Sequence, residues 1–289
     1  MIDLENFRTV IFHHIPKTAG TTMYGILEQV EDPDRIHTLA PRNEPDHEAS
    51  VREFLEMPEE ELRRIRILRG HDLYGFDRYL PQPSAYFTLL RDPARRLVSS
   101  YHHLRGAPAH LPERVEFLED PPSLREYVER GDIYLGRDSL LKSFLGYRED
   151  PGDVSRTELL ERAETALHEH YALVGLTERF DETLVLCAHT FGWSIEGYVT
   201  RNVGRHYRKD EVDPSVLELY RELNPGDVAF HRMVRELFEA RVHALGARFE
   251  QELERFRRSN VWFNRRRKLR RGLGRLRRLL RPGGEEDGR

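Results

Sequence analysis

The stretch His14-Ile15-Pro16-Lys17-Thr18-Ala19-Gly20-Thr21-Thr22 follows directly on the apolar run Val10-Ile11-Phe12. An apolar strand thus feeds a tight loop with one lysine, one glycine and three hydroxyls. A helix-compatible segment, Met23 to Val30, comes next. A strand–loop–helix unit of this kind turns backbone N–H groups and a helix N-terminus toward an anion, usually a phosphate. A Walker A loop would place its lysine directly after the last glycine. Here Thr21 follows Gly20 and the lysine stands three residues earlier. That displacement argues against an ATPase or GTPase and for another phosphate-bearing donor.

A second strand-then-helix unit lies at residues 85–101. Ala85 to Leu90 suit a buried strand. Asp92 suits a helix N-cap and Pro93 the first helical position. Arg91 then falls at the strand's carboxyl end, and Ser99 about two turns along the helix. Ligands of open α/β sheets bind outside the carboxyl ends of the strands. Arg91 and the loop 14–22 are therefore expected in one crevice.

The pair Pro16–Thr22 and Arg91–Tyr101 resembles the PAPS-dependent sulfotransferases. It is most similar to the branch of heparan sulfate and uronyl 2-O-sulfotransferases and their bacterial relatives. The likeness extends to Leu68–His71, Val174–Glu178 and Asn202–Arg205, and so spans roughly residues 8–245. It implies that Lys17, Thr18, Ala19, Gly20, Thr21 and Thr22 hold the donor's 5′-phosphosulfate. It implies that Arg91 and Ser99 hold the 3′-phosphate. Residues 200–205 resemble the late loop that closes over the nucleotide, which adds Asn202 and Arg205 as ligands. A His-Gly-His element of that branch, whose second histidine is the catalytic base, matches Arg69-Gly70-His71 at His71 only. Arg69 departs from the pattern and is a candidate contact for an anionic acceptor. The implied reaction moves a sulfuryl group from PAPS to a hydroxyl of a carbohydrate or glycoconjugate, without a metal.

Sulfuryl transfer makes two demands. Negative charge develops on the leaving phosphate oxygen, so fixed donors should surround it; Lys17, Thr21, Thr22 and the loop amides are placed for that. The acceptor hydroxyl must lose a proton to a base with a pKa near the working pH, and histidine is the natural choice. His71 at a strand end is the first candidate and Asp72 the alternative. His13 and His14 are expected to pack or to orient the loop. His102 and His103 are candidates for the acceptor side, and Arg95 and Arg96 for a helix surface. Cys187-Ala188-His189 is too little for zinc, which takes three or four protein ligands.

Alternating strands and helices predict an α/β, P-loop-like three-layer fold with a mainly parallel central sheet and many helices. The strands are expected near 9–14, 65–68, 85–90 and 171–175. Residues 31–50 read as an irregular excursion rich in proline and aspartate. Helices are expected at 53–64, 93–104, 123–130, 137–145, 156–169, 181–191, 214–223 and 226–256. The single cysteine, Cys187, rules out an intramolecular disulfide framework and reads as a buried structural thiol. The N-terminus shows no basic and apolar leader pattern. A cytoplasmic, bacterial enzyme is the expectation, and no nucleic-acid partner is expected.

The net charge of −4 conceals an asymmetry. From Arg257 onward there are 13 basic and 3 acidic residues. The expected division is a sulfotransferase domain over 1–256 and a tail over 257–289, with a linker near 257–264. Leucines 269, 273, 276, 279 and 280 fall near helical spacing among arginines, as in a basic amphipathic helix suited to an anionic membrane. Two other classes compete with the sulfotransferase reading: a P-loop nucleotide-dependent kinase, and a non-catalytic polyanion- or membrane-binding protein carried by the tail.

Overall fold

The computed structural model describes residues 6–41, 44, 46–106, 117–131, 135–147, 149–200 and 212–279, with side chains through 269. Five parallel strands form one sheet in the order β2-β3-β1-β4-β5. They are β1 (Thr9–His13), β2 (Ile36–Thr38), β3 (Ile67–Gly70), β4 (Ser84–Leu90) and β5 (Tyr171–Leu176). Every residue of β1 is buried, as is β4 after its first residue. Strands covered on both faces read as continuous apolar runs, which is why these two are plain in the sequence. β1 pairs with β3 through Val10–Ile67 to His13–Gly70 and with β4 through Thr9–Ser84 to His13–Thr88. The connections leaving β1 and β4 step in opposite directions along the sheet. Right-handed crossovers then deliver their helices to opposite faces and open a crevice at the carboxyl ends.

Helix α1 (Gly20–Val30) buries Met23, Ile26 and Leu27 against the sheet, an i, i+3, i+4 stripe. Strand β2 lies inside the stretch 31–50 that reads as irregular, and helix α2 (His47–Leu55) begins in it. β2 has only three residues, and its pairing to β3 is made by backbone groups, so side-chain pattern gives no warning of it. A short α3 (Glu59–Leu62) precedes β3, and α4 (Pro93–Gly106) follows β4. Helices α5 (Leu124–Arg130), α6 (Ser139–Phe144) and α7 (Arg156–Glu169) lead to β5; α8 (Phe180–Phe191), α9 (Pro214–Leu223) and α10 (Pro225–Leu279) complete the order.

A satellite core joins α4, α5 and α9 through Leu97, Tyr101, Tyr127, Val216 and Tyr220. A buried polar network ties it to the sheet domain. Asp227 accepts from the Leu140 and Leu141 amides at 3.1 and 2.9 Å and from the Tyr220 hydroxyl at 2.6 Å. Asp138 accepts from the Asp227 amide at 3.1 Å and from Arg156 Nε at 2.8 Å. Arg96 is 4% exposed and donates to Ser139. It is therefore a buried anchor of α4, not the surface residue that its neighbours in sequence imply; Arg95 does face solvent.

Helix α10 runs 55 residues and bends at Gly246, whose backbone leaves the helical region. Its backbone stays helical across 257–264, where a linker is expected from sequence. That segment docks on residues 196–198: Ser259 Oγ donates to Glu196 O at 2.7 Å, and Asn260 Oδ1 accepts the Tyr198 amide at 2.9 Å. Cys187 is buried on α8. Among the described residues no helix is long and apolar enough to cross a membrane.

Candidate active site

The loop between β1 and α1 is held by its own hydroxyls. Thr18 is fully buried and its Oγ1 donates to Ile15 O at 2.7 Å. The Thr18 side chain therefore closes the loop. Thr177, at the end of β5, donates from Oγ1 and sits 2.9 Å from both Thr18 O and Leu90 O. It pins the loop to the end of β4. Lys17 and Ala19 have φ of 70° and 72°. Positive φ in residues with a Cβ is costly, and it persists where surrounding structure over-determines it, often at functional sites. Asp72, directly after His71, has φ of 53°. Three strained residues thus cluster at the carboxyl ends of β1 and β3.

Arg91 joins the two anion motifs. Its Nη1 donates to Lys17 O at 3.3 Å. Asp92 caps α4 by accepting the Arg95 amide at 2.9 Å, and its own amide donates to Glu178 at 3.0 Å. Lys17 is mostly buried; burial first, and the Arg91 guanidinium second, lower its pKa to about 8. A lysine held this way, beside an arginine, has an environment that a bound anion would relieve. Ser99 is half-buried two turns along α4, and Thr21 is exposed in the first turn of α1, where Thr22 is buried. His102 and His103 lie one turn beyond Ser99 on α4. Asn202 and Arg205 fall outside the described residues.

Successive residues of a strand face opposite sides, and this separates the two histidines after Phe12. His13 is buried toward β5, with Nδ1 2.8 Å from the Tyr171 hydroxyl. Burial, with His71 nearby, lowers its pKa to about 3, so it stays neutral. His14 faces α1. It stacks with Phe12 at 5.9 Å and meets Tyr24 edge-on at 5.3 Å. Its Nδ1 lies 2.8 Å from His71 Nε2. Burial is the main cause that lowers both pKa values, and the Asp72 carboxylate opposes it at His71. His71 therefore sits beside the loop 14–22, with burial favouring its neutral imidazole.

Arg69 is already committed. It donates from Nε to Thr38 Oγ1 at 2.7 Å, from Nη1 to Tyr24 O at 3.2 Å and from Nη2 to Glu28 Oε1 at 3.0 Å. Its guanidinium also lies over the Tyr24 ring at 4.5 Å. It braces β2, β3 and α1 and is not a free contact for an acceptor. Thr177 ties the loop to β4 and Glu178 holds the Asp92 amide, contacts that residue type alone does not single out. Their common signal is position, since they are the first two residues after β5. Among the described residues no group of three His, Cys, Asp or Glu side chains is placed to hold a metal ion.

Residues 3–274 match the model of the galactose-3-O-sulfotransferase family. The galactosylceramide sulfotransferase of Bos taurus is 30% identical over 268 residues, covering 88% of this chain and 62% of that protein. The heparan sulfate 2-O-sulfotransferase 1 of Gallus gallus is 26% identical over 196 residues, covering 64% of this chain and 55% of that protein. The chain thus spans less than two thirds of the length of these relatives. A solved sulfotransferase from Alicyclobacillus acidocaldarius is 17% identical, covers 80% of this chain and 96% of its own, and superposes with a TM-score of 0.45. With a family model spanning both anion motifs, the strand end at His71 and most of α10, this chain belongs to the galactose-3-O-sulfotransferase family.

Proposed function

We propose that this chain transfers a sulfuryl group from PAPS to a hydroxyl of a galactose-bearing or related glycoconjugate, leaving PAP and a sulfate ester. The observation that carries the reading is the Arg91–Lys17 contact, which brings both anion motifs to one crevice. PAPS bound there supplies the sulfuryl group. Lys17 and the amides opening α1 hold the 5′ end, while Arg91 and Ser99 hold the 3′-phosphate, with Asn202 and Arg205 as further candidate ligands. Fixed donors around the leaving oxygen cost no reorganisation during reaction. His71 accepts the acceptor's hydroxyl proton. The relatives named for galactosylceramide and heparan sulfate support a carbohydrate acceptor.

The end of α10 supports a second element of this reading, a surface for anionic membrane that carries the acceptor. Residues 257–279 hold eleven basic and no acidic residues. Trp262 and Leu269, 53% and 68% exposed, lie seven residues apart on one helical face. Arg266 covers the Trp262 ring at 3.6 Å.

Thermal unfolding with PAP tests the donor site, with Mg²⁺-ATP as comparison and Arg91→Ala as control. A ligand at about 100 times its Kd adds roughly 2.7 kcal/mol. A shift with PAP that Arg91→Ala loses is the expected result. A shift with Mg²⁺-ATP alone would move the chain to nucleotide-dependent phosphoryl transfer.

A further inference from the structure

The contact between His14 and His71 constrains how the base works. His71 Nε2 and His14 Nδ1 are 2.8 Å apart, with the rings edge-to-face at 77° and centroids 4.3 Å apart. Two neutral imidazoles in this geometry share one proton, so one nitrogen donates and the other accepts. If His14 donated, His71 would carry its own proton on Nδ1 and have no lone pair left for an acceptor hydroxyl. If His71 donates from Nε2, its Nδ1 is basic. Among the described residues no hydrogen bond occupies that Nδ1.

We infer that His14 is a positioning residue for the base: its Nδ1 accepts the Nε2–H of His71, which fixes the tautomer whose Nδ1 takes the acceptor's proton. The inference rests on His71 as the base. During transfer the acceptor O–H bond breaks, and its proton forms a bond to His71 Nδ1. The freed oxygen pair bonds to sulfur, and the sulfur–phosphate oxygen bond breaks with its pair on the phosphate. The resulting His71 imidazolium then donates a charge-assisted bond to His14, of the stronger kind.

His14 is built for a fixed role. Phe12 stacks on it, Tyr24 closes its edge, and Arg69 holds Tyr24 from behind. Gly20 leaves room for the ring: a Cβ there would overlap His14 Nε2, Cδ2 and Cε1. The charged and titratable groups acting on the pair are Asp72 after β3, Lys17 in the loop, His13 on β1 and His47 on α2. His47 Nδ1 donates to Ala40 O at 2.8 Å, and among the described residues its buried Nε2 has no hydrogen-bond partner. Of these, only Asp72 favours a charged His71. Burial holds the pair neutral at rest, and the lone pair of His14 supplies the local support for the imidazolium.

Long-range ¹H–¹⁵N correlation spectra of ¹⁵N-histidine protein read the tautomers directly. His71 is expected to be protonated on Nε2, with His14 Nδ1 unprotonated; a proton on His71 Nδ1 would overturn the proposal. Turnover is read as PAP release from PAPS, with galactosylceramide in detergent and with water as probe acceptors. His14→Phe keeps the bulk and removes the acceptor nitrogen. It should lower kcat at least about tenfold, leave the KM for PAPS within about twofold and move the acid limb of the rate profile to lower pH. His14→Asn places an amide oxygen near the position of Nδ1 and should restore most of the rate. Normal kcat in His14→Phe, or equal loss in both variants, would overturn the positioning role. His71→Asn separates the layers. Normal turnover there removes His71 as base and the proposal with it, whereas an inactive His71→Asn beside a normal His14→Phe removes only the role of His14.

Discussion

Gly20→Ala adds one methyl group at the first residue of α1, and its consequence is expected 51 residues away at His71. The built Cβ lies under 3.0 Å from three atoms of the His14 ring. Gly20 is the first residue of helix α1, so backbone strain is not the issue; the ring must retreat. Restoring a 3.0 Å contact takes a shift of about 1 Å. Phe12 and Tyr24 stand on two sides of the ring, so the shift carries Nδ1 away from the 2.8 Å bond to His71. Overpacking of this kind costs about 1–3 kcal/mol, and the broken hydrogen bond about 1 kcal/mol more. Misplacing a catalytic group by about 1 Å can cost about a hundredfold in rate. The assay is a double-mutant cycle with His14→Ala, read by urea denaturation and by PAP release. In the His14→Ala background the methyl has space, so Gly20→Ala should cost much less stability there. Equal costs in both backgrounds, or a Gly20→Ala protein with parental stability and turnover, would refute the reasoning.

The rate should follow a bell-shaped pH profile. His71 must be neutral, and burial lowers its pKa, so the acid limb lies below 6.5; Lys17 must be charged, so activity of the free enzyme falls as pH rises through about 8. A kcat/KM profile against PAPS checks both limbs, and Lys17→Ala should abolish the upper one along with most of the rate. Asp227→Ala strands two amides, the Tyr220 hydroxyl and a buried arginine. It should destabilise the fold by about 3–5 kcal/mol in urea denaturation, with Asp227→Asn milder. Removing residues 265–289 should abolish sedimentation with phosphatidylserine vesicles at low salt and leave the thermal shift with PAP intact; a truncated protein that still sediments would exclude this end of α10 as the contact.

The parts of the fold legible in the sequence are those whose signal is local. β1 centres on the apolar run Val10–Phe12 and β4 on Ala85–Leu90, broken only by Thr88, and the Asp92-Pro93 cap is a two-residue signature that the Arg95 amide fulfils. The strand–loop–helix unit around Lys17 is legible from its order of strand, lysine, glycine and helix. β2 was not, because three residues held by backbone pairing carry no periodicity. Arg96 misled for a different reason. α4 packs on the sheet domain and on the satellite core at once, so a charged residue on its flank becomes a buried anchor to Ser139. Arg69 and His14 are cases of chemistry set by partners distant in sequence. The partners of Arg69 come from β2 and α1, and that of His14 from the turn after β3. Nothing in the residues adjacent to either one announces these pairings.

The central place of β1 has a consequence for how the protein is made. The strand that leaves the ribosome first is the one needing neighbours on both sides, and those neighbours are β3 and β4. At roughly 5–20 residues per second, Val10, Ile11 and Phe12 wait several seconds for Leu90 to be added, unpaired and apolar. Thr177, which ties the β1–α1 loop to β4, arrives later still. The nascent chain therefore carries this apolar strand for several seconds before both its edges can be covered. Changes that slow synthesis between residues 14 and 90 would be expected to lower the yield of native protein without altering a single contact in it.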